Sequence, residues 1–411
     1  MKNCLINEGY EKDFFLYGGK DSKVFSKKKI YEDLSFGAGS LILGHNNLIQ
    51  RKCFEKFKKK TTLLTYPNIQ AVKFSNLLGK IFKKYPKFVL CSTGSEAITK
   101  SLRIAKAITK KKIIVAVTGS WHGSTEKLLF NSINGKNYPM SDGLDDYNKK
   151  NLKFIEYNNF KKTKKILNHY KNKIGCIIIE PIQGCLPDYK FIKYIKYLFN
   201  YAKKNRILII FDEMITGLRV NGNSVQEYLK ISPDISIFGK ALGGGLPIGV
   251  IALSKEILNK IDKKKLNIFY GGTYSGNSFS TTLAYETTKY IIKNKKIIND
   301  LNKKSKYFQI AINNFLKQKK LPAKIYRFQS LLRLVFSDKT INNRAQRDFF
   351  EIKSAYKINK FKDFLKNKNI LYPKNGLIFF SAKTSAKNVN FIIKNFKSGF
   401  KYIYKKNVNK I

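Results

Sequence analysis

The sequence predicts an α/β protein built on an open, mostly parallel sheet, and three observations carry that expectation. Residues 207–211 form a short apolar run rich in β-branched side chains, too short for a helix, which reads as a buried parallel strand. Asp212 and Glu213 follow at its C-terminal end, the edge where open α/β sheets gather ligand-binding groups. Residues 234–238 read as a neighbouring strand that delivers Lys240 to the same edge, ahead of three consecutive glycines. The 28 positions from Asp212 to Lys240 leave room for a crossover between parallel strands. One carboxylate and one amine are therefore expected in one cleft.

Composition narrows the classes. A chain of 411 residues with 43% apolar content can bury a large core, and its length suggests two or three domains. No window of about 18 apolar residues exists, so a membrane span is not expected. The first 15 residues lack the apolar core of a signal peptide, and the five cysteines are scattered without CxxC spacing. They read as reduced thiols of a cytoplasmic protein. The three histidines are too dispersed for a metal centre, so no metal is expected. The net charge of +53 invites a nucleic-acid reading. Against it, only eight of the 80 basic residues are Arg, the residue that bidentate phosphate and base recognition favours. Lys is spread over the whole length with Asn and Ile, a compositional drift rather than a patch, so no specific nucleic-acid partner is expected.

The remaining elements follow in order. Residues 1–35 are polar, with strand-like pieces at 22–25 and 29–34. Residues 36–45 are apolar and punctuated by glycine, ending in His45, which suits packing or hydrogen bonding better than catalysis. Residues 47–60 read as an amphipathic helix. Residues 88–91 read as a strand, and Ser92-Thr93-Gly94-Ser95-Glu96-Ala97 opens a helix with apolar residues at helical spacing. Such a helix start offers free N–H groups to an anion, although capping alone explains a hydroxyl there equally well. Residues 113–117 form another buried strand, ending at Trp121-His122-Gly123. Residues 176–180 are a strand ending in Glu180, with Pro181-Ile182-Gln183-Gly184 after it, and 189–204 are helical. Residues 250–253 add a strand, a helix begins near 280, and 296–411 are Lys-rich with a mixed α/β pattern.

A Lys in a partly desolvated pocket has a lowered pKa and can attack a carbonyl. Pyridoxal 5'-phosphate (PLP) needs such an amine for its aldehyde and a carboxylate for its pyridinium nitrogen. The stretches DEMITGLR and FGKALGGGLPIG resemble the class III, fold type I, PLP-dependent aminotransferases, and within them the glutamate-1-semialdehyde 2,1-aminomutase branch. The resemblance runs from about residue 24 to 393. It implies a large domain with a mostly parallel seven-stranded sheet sandwiched by helices at 46–295. It also implies a smaller α/β domain made by 1–45 and 296–411. Lys240 would form the Schiff base and Asp212 would hold the pyridinium proton. STGSEA matches the family's phosphate cup, giving that role to Gly94 and Ser95 with Thr93 beside them. Trp121, next to His122, would stack on one ring face, where the family usually has Tyr or Phe, and Met214 would pack on the other. Glu180 would shape the pocket and Gln183 would donate to the phenolic oxygen. Thr273, in GTYSGN, would reach across a homodimer to the partner's phosphate, giving shared sites.

The reaction is expected from departures within the resemblance. The aminomutases carry a substrate-binding Arg near the N-terminus, whereas residues 1–30 contain none. They carry Val at the position of Gln183, and Asn375 stands where they have Glu. The C-terminal carboxylate-binding Arg of many ordinary family members has no counterpart in 371–385. A transaminase acting on a small-molecule amino donor and carbonyl acceptor, with a non-standard substrate such as an amino sugar, is therefore favoured. The aminomutase itself, giving 5-aminolevulinate by intramolecular transfer, is the alternative.

Overall fold

The computed structural model describes residues 14–405 apart from 59, 60, 65 and 134. Its centre is a seven-stranded sheet. In sheet order the strands are Lys87–Cys91, Gly249–Leu253, Ile235–Gly239, Leu208–Asp212, Ile174–Ile179, Ile113–Val117 and Leu152–Ile155. The last five pair in parallel. Gly249–Leu253 runs antiparallel to both of its neighbours. The reason is length. Only nine residues, 240–248, separate it from the strand before, too few for a parallel crossover. Gly244 and Gly245, at φ +60° and +110°, turn the chain straight back.

The central strands are buried along their whole length, as Leu208–Asp212, Ile235–Gly239 and Ile174–Ile179 show. Helices must therefore cover both faces. Gly94–Thr109 packs its buried Ile98, Leu102, Ala105 and Ile108 into one apolar cluster with Ile178, Ile210 and Ile237. Ile192–Lys204 places Tyr194, Ile195 and Leu198 on the opposite face with Ile177, Ile209 and Phe211. The alternation along Ile209, Ile210 and Phe211 is the strand period at work, successive side chains entering different clusters.

An N-terminal meander pairs with a segment from the C-terminal third of the chain. Leu16–Lys20, Lys23–Ser26 and Ile30–Asp33 form an antiparallel meander, and Ile370–Leu371 joins it in parallel beside Ile30–Asp33. A second small sheet combines Lys324–Phe328, Leu331–Val335 and Leu377–Ile378. One buried cluster runs from Phe74 and Phe238, at the large sheet, to Phe308, Phe361 and Phe396 near the C-terminus. The C-terminal third is thus anchored on the core that carries Lys240.

Local departures from the sequence reading are small. The expected helix at 47–60 is Leu48–Phe57, capped by Asn47 in a capping box with Gln50; residues 59 and 60 lie outside the described residues, as does Cys4. The remaining four cysteines are free thiols. Among the described residues no helix is long and apolar enough to cross a membrane, and no cluster of His, Cys, Asp or Glu could hold a metal ion. His45 pairs with Asp33, Nε2 to Oδ2 at 2.8 Å, and stacks on Phe36.

Candidate active site

The C-terminal edge of the large sheet holds a cavity of about 280 Å³, near the lower end of small-molecule sites. Five of the seven strands contribute residues at or just past their C-terminal ends. The Lys87–Cys91 strand leads to Thr93, Gly94 and Ser95, and Ile113–Val117 leads to Trp121 and His122. Ile174–Ile179 leads to Glu180, and Leu208–Asp212 leads to Asp212 and Met214. Ile235–Gly239 leads to Lys240, and all nine residues line the cavity.

Lys240 sits at φ +45°, a left-handed conformation that costs a side-chain-bearing residue about 1–3 kcal/mol when the surroundings impose it. Its Nζ makes no hydrogen bond or ion pair among the described residues. Burial pushes its ammonium below the ordinary range; Asp212 and Glu180 oppose that shift, and Arg219 adds to it. The buried amine therefore gives up its proton more readily than an exposed lysine does.

Asp212 faces a partner that sequence reading did not assign. Its Oδ2 lies 2.7 Å from His122 Nδ1, with both side chains buried. The tautomer carrying its proton on Nδ1 donates to the carboxylate. The backbone N–H of Met214 donates to Oδ1 at 3.0 Å. His122 Nε2 is buried without a partner among the described residues. The only sequence signal for this pair was that His122, like Asp212, follows a buried strand; the two strands lie two places apart in the sheet, with Ile174–Ile179 between them.

Glu180 ties two loops together. Its Oε1 accepts from Trp121 N at 2.9 Å and its Oε2 from Gly184 N at 3.1 Å. Burial pushes its carboxyl up, and the nearby His122 opposes this. Trp121 is 53% exposed, so its indole face is open rather than packed in a core.

The helix start that follows the Lys87–Cys91 strand presents free backbone N–H groups to the cavity. Thr93 is the N-cap, its Oγ1 accepting from Glu96 N at 3.2 Å. The hydroxyl of Ser95 accepts from Ser124 N at 3.0 Å. The first N–H groups of the helix, at Gly94 and Ser95, have no intrahelical partner. Gly94 has a steric reason as well: a Cβ there would lie 2.6 Å from Met214 Cε. Gly239 faces the same side chain, with a Cβ falling 2.4 Å from Met214 Sδ. Met214 therefore fills space that two glycines leave open.

Two expected residues lie elsewhere. Gln183 is buried, but its Nε2 donates to Thr118 O at 3.2 Å and Ser120 Oγ at 3.0 Å, and it does not line the cavity. Thr273 is exposed and borders a separate groove of about 660 Å³ with Leu63, Leu64, Tyr66 and Asn68. Sequence reading also passed over Ser40, Ile215 and Leu246-Pro247-Ile248, which line the cavity together with Ser92, Ile98 and Gly123; the glycines before each of the first and last stretches were the available signal. Arg219, in the same motif as Asp212, is fully buried. It donates to Gly39 O and lies 4.7 Å over the Phe379 ring, and burial pushes its guanidinium down to about 9.

The arrangement can hold an anion at a helix start, a flat ring between Trp121 and Met214, a protonated ring nitrogen at a fixed carboxylate, and a carbonyl at an amine. Residues 26–352 match the family model described as aminotransferase class-III. The chain is 34% identical over 319 residues to a glutamate-1-semialdehyde 2,1-aminomutase of Wigglesworthia glossinidia brevipalpis, covering 75% of this chain and 72% of that protein. The fold is similar to that of an omega-transaminase from Sphaerobacter thermophilus, with TM-score 0.88 at 16% identity over 96% of this chain and 93% of that one. It is also similar to a transaminase with PLP bound, with TM-score 0.84 at 17% identity over 96% and 92% of the two chains.

Proposed function

Because the chain belongs to the class III aminotransferase family, a family of PLP-dependent enzymes, we propose that its cavity binds PLP and transfers an amino group between a small-molecule amino donor and a carbonyl acceptor. The observation that carries this reading is the convergence of Lys240, Asp212 and the Gly94–Ser95 helix start on one cavity. The chemistry of these residues fits the group. Lys240 would hold its aldehyde and Asp212 its ring nitrogen. Trp121 and Met214 would cover its two faces, and the helix start, with its partial positive charge, would hold the phosphate. When bound, PLP supplies an electron sink for charge developing at the substrate carbon.

The chain's own residues do the rest. Lys240, an amine of lowered proton affinity lining the cavity, would act as the base that moves a proton at the substrate carbon. Asp212 keeps a proton on the ring nitrogen, and His122 fixes the carboxylate by its 2.7 Å hydrogen bond. Glu180 holds the Trp121 loop in register, which keeps one side of the site covered. Gln183 acts through Ser120 and Thr118, holding the start of that loop.

Transfer between two molecules is favoured because Lys240 is the only Lys or Arg among the described residues lining the cavity, and the chain has no Arg before Arg51. A second reading, glutamate-1-semialdehyde 2,1-aminomutase, is favoured by the curated relative at 34% identity. Incubation with glutamate-1-semialdehyde decides between them. A transaminase is expected to turn over only when a separate amino acceptor or donor is supplied. Steady formation of 5-aminolevulinate from that substrate alone would establish the aminomutase instead.

The active unit is a homodimer in this reading, with Thr273 serving the partner's phosphate. Support comes from the surface around it, where Leu64, Tyr66 and Tyr274 are 58%, 82% and 62% exposed. Co-expressed, separately tagged Lys240→Ala and Thr273→Ala chains are then expected to regain part of the activity that each homodimer lacks. Both lesions fall on one site of the mixed dimer and leave the other intact. No recovery in a verified mixed dimer would contradict shared sites.

A further inference from the structure

The helix Arg344–Lys353 lies far along the chain from the cavity, yet it reaches both loops that frame it. Arg344 Nη1 donates to Gly119 O at 2.8 Å, two residues before Trp121. Arg347 Nη1 donates to Cys185 O at 2.8 Å, two residues after Gln183. The two Arg stand at i and i+3 on the helix, the spacing that places side chains on one face. Asp348 serves both: Arg344 Nε lies 2.8 Å from Oδ2, and Arg347 Nε lies 3.1 Å from Oδ1. Glu351 then joins Arg347, at 3.4 Å, to Arg333, whose Nη2 meets both Glu351 oxygens at 2.9 and 3.0 Å. Arg333 belongs to the strand Leu331–Val335, so the helix is braced from behind.

The contact at Gly119 is close. Its φ is +79°, and a Cβ there would lie 2.2 Å from Arg344 Cγ. Glycine is therefore required both by the backbone and by the stem of Arg344. Glu180 links the same two loops on the cavity side, through Trp121 N and Gly184 N. The loops are thus held twice, once inside by a carboxylate and once outside by two guanidiniums. Arg forks suit this task because each can satisfy a carbonyl and a carboxylate together.

We propose that Arg344 and Arg347 are positioning residues that latch the Trp121 loop and the Gln183 loop to the C-terminal part of the chain. They set the cofactor site through Gly119 and Cys185 without touching it. The proposal rests on the PLP reading for its consequence, not for its geometry.

Trp121 is the only tryptophan in the chain, so its fluorescence reports the latch directly. Full-length Arg344→Ala, Asp348→Ala and Arg344→Lys are compared with the parent, with and without added PLP. In the protein without PLP, acrylamide quenching of Trp121 is expected to rise about twofold in Arg344→Ala as the loop opens locally. PLP affinity is expected to weaken about tenfold. Arg344→Lys restores part of both, since an ammonium can still reach the carbonyl. Asp348→Ala, at a partly exposed position, moves both readouts in the same direction and carries the test if Arg344→Ala does not fold. Unchanged quenching in either folded Ala variant overturns the latch. Failure of the PLP reading is distinguishable: the parent then binds no PLP, while the quenching difference persists.

Discussion

Lys240→Ala is expected to give a folded protein whose turnover falls by about 10⁴-fold or more, the scale seen when a covalent catalytic group is removed. The loss follows from position. Lys240 is the only amine lining the cavity among the described residues, and no hydrogen bond or ion pair diverts it. The fold is expected to survive because the side chain makes no structural contact of that kind. Stability should change in a direction that reports its environment. Burial depresses the folded-state pKa of Lys240 below the ordinary 10.5. A depressed folded pKa means that the unfolded chain binds more protons, so stability rises with pH between the folded pKa and 10.5. In protein free of PLP, Lys240→Met is therefore expected to unfold at a higher temperature than the parent near neutral pH. The advantage should shrink as pH rises towards 10.5. Thermal unfolding across that range checks the sign, and a gap that widens with pH would contradict a desolvated amine.

Asp212→Asn is expected to keep the cofactor but lose about 10²–10³-fold in kcat, the usual cost of removing one preorganised electrostatic partner. An amide cannot hold the pyridinium proton, so the ring loses its capacity to take up charge. The change also unsettles His122, which then faces an amide in place of a carboxylate at 2.7 Å. KM for the amino donor should move much less than kcat, since in the proposed site the carboxylate would face the ring and not the donor. Equal kcat in the parent and in Asp212→Asn would remove Asp212 from the assignment.

Much of this was readable from sequence because the chemistry sits at strand ends. The runs 207–211 and 234–238 declare themselves by length and β-branching, and a parallel sheet then sends Asp212 and Lys240 to one edge. The direction of Gly249–Leu253 was also implicit, in the shortness of the link before it. Contacts between distant segments were not readable. Nothing in the local pattern says that His122 Nδ1 meets Asp212, or that Gln183 spends its amide on Thr118 and Ser120 rather than on the cavity. Met214 against Gly94 and Gly239 is of the same kind, a volume match across three strand ends. The braced helix Arg344–Lys353 was missed because its sequence reads as an ordinary charged surface helix, whereas Arg347 is almost fully buried. Periodicity reports a residue's own element, while these pairings depend on how separate elements meet.

The central claim is that the Lys240 amine, at the edge shared with Asp212, is where PLP is held. The most direct test is to incubate the full-length protein with PLP, reduce it with borohydride and map the labelled peptide. A single phosphopyridoxyl group on Lys240, absent in Lys240→Ala, is the expected result. A label on another lysine of this Lys-rich chain, with Lys240 unmodified, would contradict it.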